Sequence, residues 1–171
     1  MKSLLSVVLY LFSAAGASAQ VVMTPRPLDP MAAETFEQAF NGSPLVRDLV
    51  RQLEGSNLVV HIVSSRSMPY GIAGTMRFVA SRGGYRYVRI TLAVDNRADS
   101  RAAVLGHELQ HACELAASDA HDENTVRRLF QATGHHPGQS EDVFETRAAM
   151  LVERQVKNDL RAEHGDRGGN K

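Results

Sequence analysis

The stretch from Arg101 to Ala117, RAAVLGHELQHACELAA, constrains this chain more than any other. It lacks proline, has one glycine (Gly106) and is rich in Ala, Leu and Glu, so it predicts a helix. Asp99 or Ser100 is placed to cap its start. On that helix Leu105, Leu109, Ala112 and Ala116 form one apolar stripe, while His107 and His111 line up one turn apart on another. Such a pattern predicts burial at the floor of a cleft.

The five residues His107-Glu108-Leu109-Gln110-His111 read H-E-x-x-H. Two imidazoles at that spacing can meet one Zn²⁺ at about 2.0–2.1 Å each, leaving room for a third ligand and a water. The intervening Glu108 is then placed to act as general base on that water. Three fixed letters in five also arise by chance, so the surroundings matter. Val104-Leu105-Gly106 before the motif and Ala112-Cys113 after it are uncharged, as are Leu109 and Gln110. That suits a helix packed inside a cleft, where stray charge is costly.

Two histidines do not complete a zinc site. The metzincin arrangement would put a third histidine six residues after His111, and position 117 is Ala, which excludes that class. A later element must supply the ligand, and Glu145 is the leading candidate. On a last helix expected from about Glu141 to Arg161, Glu145, Ala149, Val152 and Val156 share one stripe. A carboxylate heading an apolar stripe needs a partner, and zinc would provide it. Glu141 and then Asp142 follow as alternatives, and Arg101 or Arg128 could instead pair with Glu145.

The chain has 171 residues, 43% of them hydrophobic, enough for one globular domain. Lys2, the apolar run Leu4 to Phe12 and the small residues Ala17-Ser18-Ala19 read as a secretory signal peptide over residues 1–19, cleaved near Ala19-Gln20. The expected location is periplasmic or extracellular, with no membrane span in the mature chain. Residues 20–30, with Pro25, Pro27 and Pro30, form an extended leader. A single domain is expected over 31–162, followed by a disordered polar tail over 163–171. The one cysteine, Cys113, allows no intramolecular disulfide and sits about 200° around the helix from His111, so it reads as a small core residue. The balance of 19 basic and 19 acidic residues, with arginines scattered along the chain, predicts no nucleic-acid partner.

Local signals sketch the domain. Asp29-Pro30 caps a helix through Phe40, and Ser43-Pro44 restarts one through about Glu54. Asn57–Ser65 is β-branched and reads as a strand. Thr75–Ser81 and Tyr85–Val94 flank Arg82-Gly83-Gly84 as a hairpin, whose second arm alternates Arg86, Val88, Ile90, Leu92 against Tyr85, Tyr87, Arg89, Thr91. Asp122 caps a further helix through about Thr133, and a Gly/Pro loop holds His135 and His136. The expected class is α+β, with a small antiparallel or mixed sheet of about three strands packed on the H-E-x-x-H helix and a C-terminal helix bearing the glutamate.

With these elements in place, VLGHELQHACE followed by FETRAA resembles the gluzincin zinc metallopeptidases, and Glu145-Thr146-Arg147-Ala148-Ala149 is similar to the E-x-x-A-D pattern of the prenyl-protein and heat-shock membrane metallopeptidases. The likeness covers about a third of the chain. It implies a zincin-like fold, His107, His111 and Glu145 as zinc ligands, and Glu108 as the residue that activates water. Those relatives have transmembrane helices, so this chain looks like a small, soluble, exported version. It departs from them at position 149, where Ala stands in place of an aspartate that orients a histidine ligand. Glu114, one turn beyond His111, is a possible substitute.

In such peptidases an edge strand binds substrate backbone, and Tyr85–Leu92 is the expected edge here. His121, His135, His136, Tyr85 and Tyr87 are candidates to stabilise an oxyanion, with a mild preference for the His135–His136 loop. The leading expectation is thus a zinc endopeptidase acting on peptides or unfolded segments. The alternatives are a non-catalytic zinc-binding or interaction protein on the same scaffold, or an amide hydrolase of the cell-wall type.

Overall fold

The computed structural model describes residues 25–134 and 144–168. The expected signal peptide, the His135–His136 loop, Glu141 and Asp142 lie outside them. The elements run β1 (Arg26–Pro27), α1 (Pro30–Gly42), α2 (Pro44–Glu54), β2 (Leu58–Ser65), β3 (Gly74–Arg82), β4 (Tyr85–Ala93), α3 (Ala98–Ala116), α4 (Glu123–Thr133) and α5 (Arg147–Gly168). The class is α+β, and the described strands form one mixed four-stranded sheet.

Strand order is β1-β2-β4-β3, with β1–β2 and β2–β4 parallel and β3–β4 antiparallel. β4 is therefore internal, which corrects the expectation that Tyr85–Leu92 is the edge. The edge on that side is β3. Hairpin chemistry predicts that β3 and β4 pair, but only the long-range β2–β4 pairing decides which arm is enclosed. The turn itself is as expected, with Gly83 and Gly84 at φ 61° and 82°, the left-handed backbone of a two-residue hairpin turn. Within the extended leader, Arg26–Pro27 adds the short strand β1.

Asp29 ties the leader to the sheet. Its Oδ1 accepts from the Ala32 N–H at 2.9 Å, capping α1, and its Oδ2 accepts from the Ser64 N–H of β2 at 2.7 Å. Helices α1, α2 and α3 cover one face of the sheet, where Val60, Ile62, Val88 and Ile90 are wholly buried. On that face β4 also carries Arg86, 7% exposed. Its guanidinium donates to the carbonyls of Leu115, Ala116, Ser118 and Ala120, capping the C-terminal end of α3, and to Asn57 Oδ1.

Helix α3 is sandwiched. One side packs on the sheet and on α1 and α2, the other on α5. Gly106 permits the second contact, since a Cβ there would stand 2.9 Å from Val156 Cγ2. The buried stripe Ala149, Val152, Val156 is as expected, but α5 starts at Arg147, so Glu145 lies on an extended segment two residues ahead of it. Thr146 explains the boundary: its Oγ1 accepts from the Ala149 N–H at 3.1 Å, a cap that stops the helix from starting earlier. At the other end α5 continues to Gly168, past Arg161 and into the segment expected to be a tail. No described helix is long and apolar enough to cross a membrane.

Candidate metal centre

His107 and His111 come from the buried middle of α3, 5% and 6% exposed, and their rings meet edge to face with centroids 4.8 Å apart. Their Nε2 atoms stand 3.1 Å from each other, and Glu145 Oε2 lies 3.0 Å from His107 Nε2. One donor atom from each of His107, His111 and Glu145 falls within 4.8 Å of the other two. Two imidazole nitrogens sharing a tetrahedral zinc at 2.0–2.1 Å stand roughly 3.3–3.4 Å apart, so the pair needs almost no adjustment to hold such an ion. The group can hold a metal ion. Of the alternative partners for Glu145, Arg101 instead donates to the Asn96 carbonyl and Thr35, and Arg128 is exposed.

The far ring nitrogens are also engaged. His111 Nδ1 lies 3.1 Å from Glu114 Oε2, so Glu114 takes the orienting position that its spacing suggested. Glu114 is itself held, accepting from Thr146 Oγ1 at 2.8 Å and Gln110 Nε2 at 3.3 Å. Thr146 thereby links the cap of α5 to the ligand helix. His107 Nδ1 lies 3.3 Å from Glu153 Oε2, an ion-pair contact without hydrogen-bond alignment. Lys157 Nζ donates to the other oxygen of Glu153 at 2.6 Å. The sequence reading missed Glu153. A signal was present, because Glu153 is one helical turn past Ala149, where the resembled families place their aspartate.

Burial pushes the Glu108 carboxyl up to about 7, outweighing the pull of His111 and His107. Burial alone would lower His107, but the carboxylates of Glu145, Glu153 and Glu108 raise it to about 10. Glu153 falls to about 2 through His107 and Lys157, despite its desolvation. For Glu114, burial acts upward, but contacts with His111, Thr146 and Gln110 hold its pKa below the usual glutamate value. Cys113 is buried, points at the Leu49 carbonyl (3.6 Å) and is pushed up to about 12 by desolvation, consistent with a core role.

The cleft over these residues is walled by Gly74, Thr75 and Met76 of β3, Phe130 of α4, and Phe144. Phe130 meets the His111 ring edge to face at 5.3 Å. Gly74 lets β3 run close to α3: a Cβ there would stand 2.5 Å from Val104 Cγ1 and 3.1 Å from Glu108 Oε1. Tyr85, Tyr87 and His121 do not line this cleft. The two tyrosines belong to the internal strand β4, and His121 is exposed beside α4, so these oxyanion candidates are corrected. No protein-family model, curated protein or solved structure matches this chain.

Proposed function

We propose that this protein is a zinc-dependent peptidase of the gluzincin type, on a zincin-like scaffold, working outside the cytoplasm. The observation that carries this reading is the convergence of His107 Nε2, His111 Nε2 and the Glu145 carboxylate beside a buried Glu108. The two-nitrogen, one-oxygen donor set is that of catalytic zinc sites, which keep a position open. Zinc held by these three residues would polarise a scissile carbonyl and acidify water.

The chain's own residues do the rest. Glu108, raised to about 7, takes a proton from water and passes it to the leaving amine near neutral pH. Glu114 and Glu153 keep the two imidazoles turned toward the ion. Substrate backbone pairs with β3, which has β4 on one side and no described strand on the other. The apolar run Leu4–Phe12 with Ala17-Ser18-Ala19 supports export, and mass spectrometry of the secreted protein should find Gln20 first.

The decisive test combines elemental analysis with cleavage of an unfolded protein. Wild type should contain about one zinc per chain and cleave, while Glu108→Gln should keep the zinc and lose hydrolysis. A Glu108→Gln variant that cleaves like wild type rules out this mechanism. Zinc without hydrolysis in the wild type supports the non-catalytic binding reading instead.

A further inference from the structure

The sheet register collects charge that is dispersed along the chain. Arg26 pairs with His61, His61 with Arg89, and Arg89 with Arg77, so four basic side chains form one row across all four strands. Directly opposed residues share a face, and here it is the face away from α1, α2 and α3, because the alternate positions Arg86, Val88, Ile90 and Leu92 are the buried ones. Arg26, Arg77 and Arg89 are exposed and His61 is half-buried. The four strands contain no aspartate or glutamate, although the chain has as many acidic as basic residues.

Like charges directly opposed in a sheet are unfavourable, and Arg77 and Arg89 are such a pair. Their repulsion is relieved when an anion sits between them. The field of the row is felt at His61, whose pKa is lowered by burial and then by Arg26 and Arg89.

The row ends in a groove that adjoins the metal cleft. Arg77 lies on the edge strand, where it lines a groove of about 290 Å³ with Phe78, Glu123, Arg127, Phe130 and Phe144. Phe130 and Phe144 also wall the metal cleft, beside Thr75. A peptide paired along the edge of β3 that no described strand covers passes both places, and every second side chain of it stands on the outward face, next to Thr75 and then Arg77. A side chain beside Arg77 is about one strand spacing, roughly 4.8 Å, from that strand and two from Arg89.

We propose that Arg77 and Arg89 make this protein selective for acidic peptides, with an aspartate or glutamate on the outward side of the paired strand, two residues from the one beside Thr75. This rests on the peptidase reading of the metal centre. A peptide is the occupant because a strand-paired chain joins Arg77 to the metal cleft, whereas a bilayer or nucleic acid on the open face does not reach it.

The test is fluorescence anisotropy with the zinc-loaded Glu108→Gln protein and two labelled decapeptides that differ only by Glu or Gln at alternate positions. The Glu peptide should bind about five- to tenfold tighter at low salt, with the gap closing at high salt. Arg77→Gln with Arg89→Gln should remove the preference, and Arg77→Glu with Arg89→Glu should shift it to a Lys peptide. Single Arg89→Gln, changing one exposed side chain, is the check if a double variant folds poorly. Equal binding of the Glu and Gln peptides overturns the proposal, as does a preference that survives the double Gln variant. So does arginine-dependent binding of single-stranded DNA or phosphatidylglycerol vesicles in place of peptide. If wild type cleaves neither peptide yet binds the Glu peptide through these arginines, the peptidase reading fails and acidic-peptide recognition stands. Cleavage without acidic preference has the opposite meaning.

Discussion

Two carboxylates meet the His107 ring from either side, Glu145 at Nε2 and Glu153 at Nδ1, and both favour the protonated imidazole. A metal ion needs that ring neutral, so the ion competes with a proton. With His107 raised to about 10, ion binding at pH 7–8 should release about one proton, measurable as a dependence of titration heat on the buffer's ionisation enthalpy. The sign also applies to folding. A raised histidine stabilises the ion-free fold fully below the unfolded value near 6.5 and loses that contribution as pH rises through about 10. The thermal midpoint with chelator should therefore fall from pH 6.5 to 10 faster than the midpoint with zinc. Parallel curves would show that His107 carries no such proton. Glu153→Gln removes the charge beside Nδ1 and should weaken zinc binding by about 10- to 100-fold. A chelator competition series measures it, and unchanged affinity would remove Glu153 from the centre.

At the scale of elements, α3 is fixed by one cation and one missing side chain. Arg86 closes its C-terminal carbonyls from β4, and replacing it with Leu strands several buried acceptors, at a cost of about 3 kcal/mol or more. Gly106 sets the approach of α5, and Gly106→Val forces branched methyls into Val156, with an expected cost of about 1–3 kcal/mol. Urea melts on zinc-free protein read both effects, and a neutral Gly106→Val would mean that α5 can move away freely. The two variants should also differ in zinc binding. Gly106→Val moves α5 and Glu153 relative to His107, whereas Arg86 acts at the far end of the helix.

Across the molecule, what could be read from sequence was local, and most of what was missed was pairing at a distance. The caps Asp29 and Asp122, the Gly83-Gly84 turn and the alternation of β4 each involve neighbours within a few residues, so they were legible. His107, His111 and Glu114 follow helical spacing and were legible for the same reason. Glu145 was found by its chemistry but assigned to the wrong element, because the Thr146 cap competes with helix continuation. Glu153 needed the crossing of α3 and α5, and the edge strand needed the β2–β4 register. The arginine row is the clearest case, since it joins positions 26, 61, 77 and 89, which share no local pattern.

Such long-range ties also set how the whole fold meets acid. Asp29 holds the leader to β2, Glu114 holds the α5 cap to α3, and Glu153 bridges α5 to His107. All three have lowered pKa values: for Asp29 and Glu114 hydrogen bonds overcome desolvation, and for Glu153 the His107 contact leads. A depressed carboxyl stabilises the fold above its unfolded value near 4 and loses that contribution as pH falls through the folded value, about 2 for Glu153. Protonation should therefore loosen the leader from the sheet and α5 from α3 as pH falls below about 4, with the Glu153 contribution lost through about pH 2. Circular dichroism against pH, on protein kept free of zinc by chelator, follows the transition. Asp29→Asn and Glu153→Gln should each lower stability at pH 7 while flattening the acid limb. An acid limb as steep in both variants as in the parent would place the acid-sensitive contacts elsewhere in the fold.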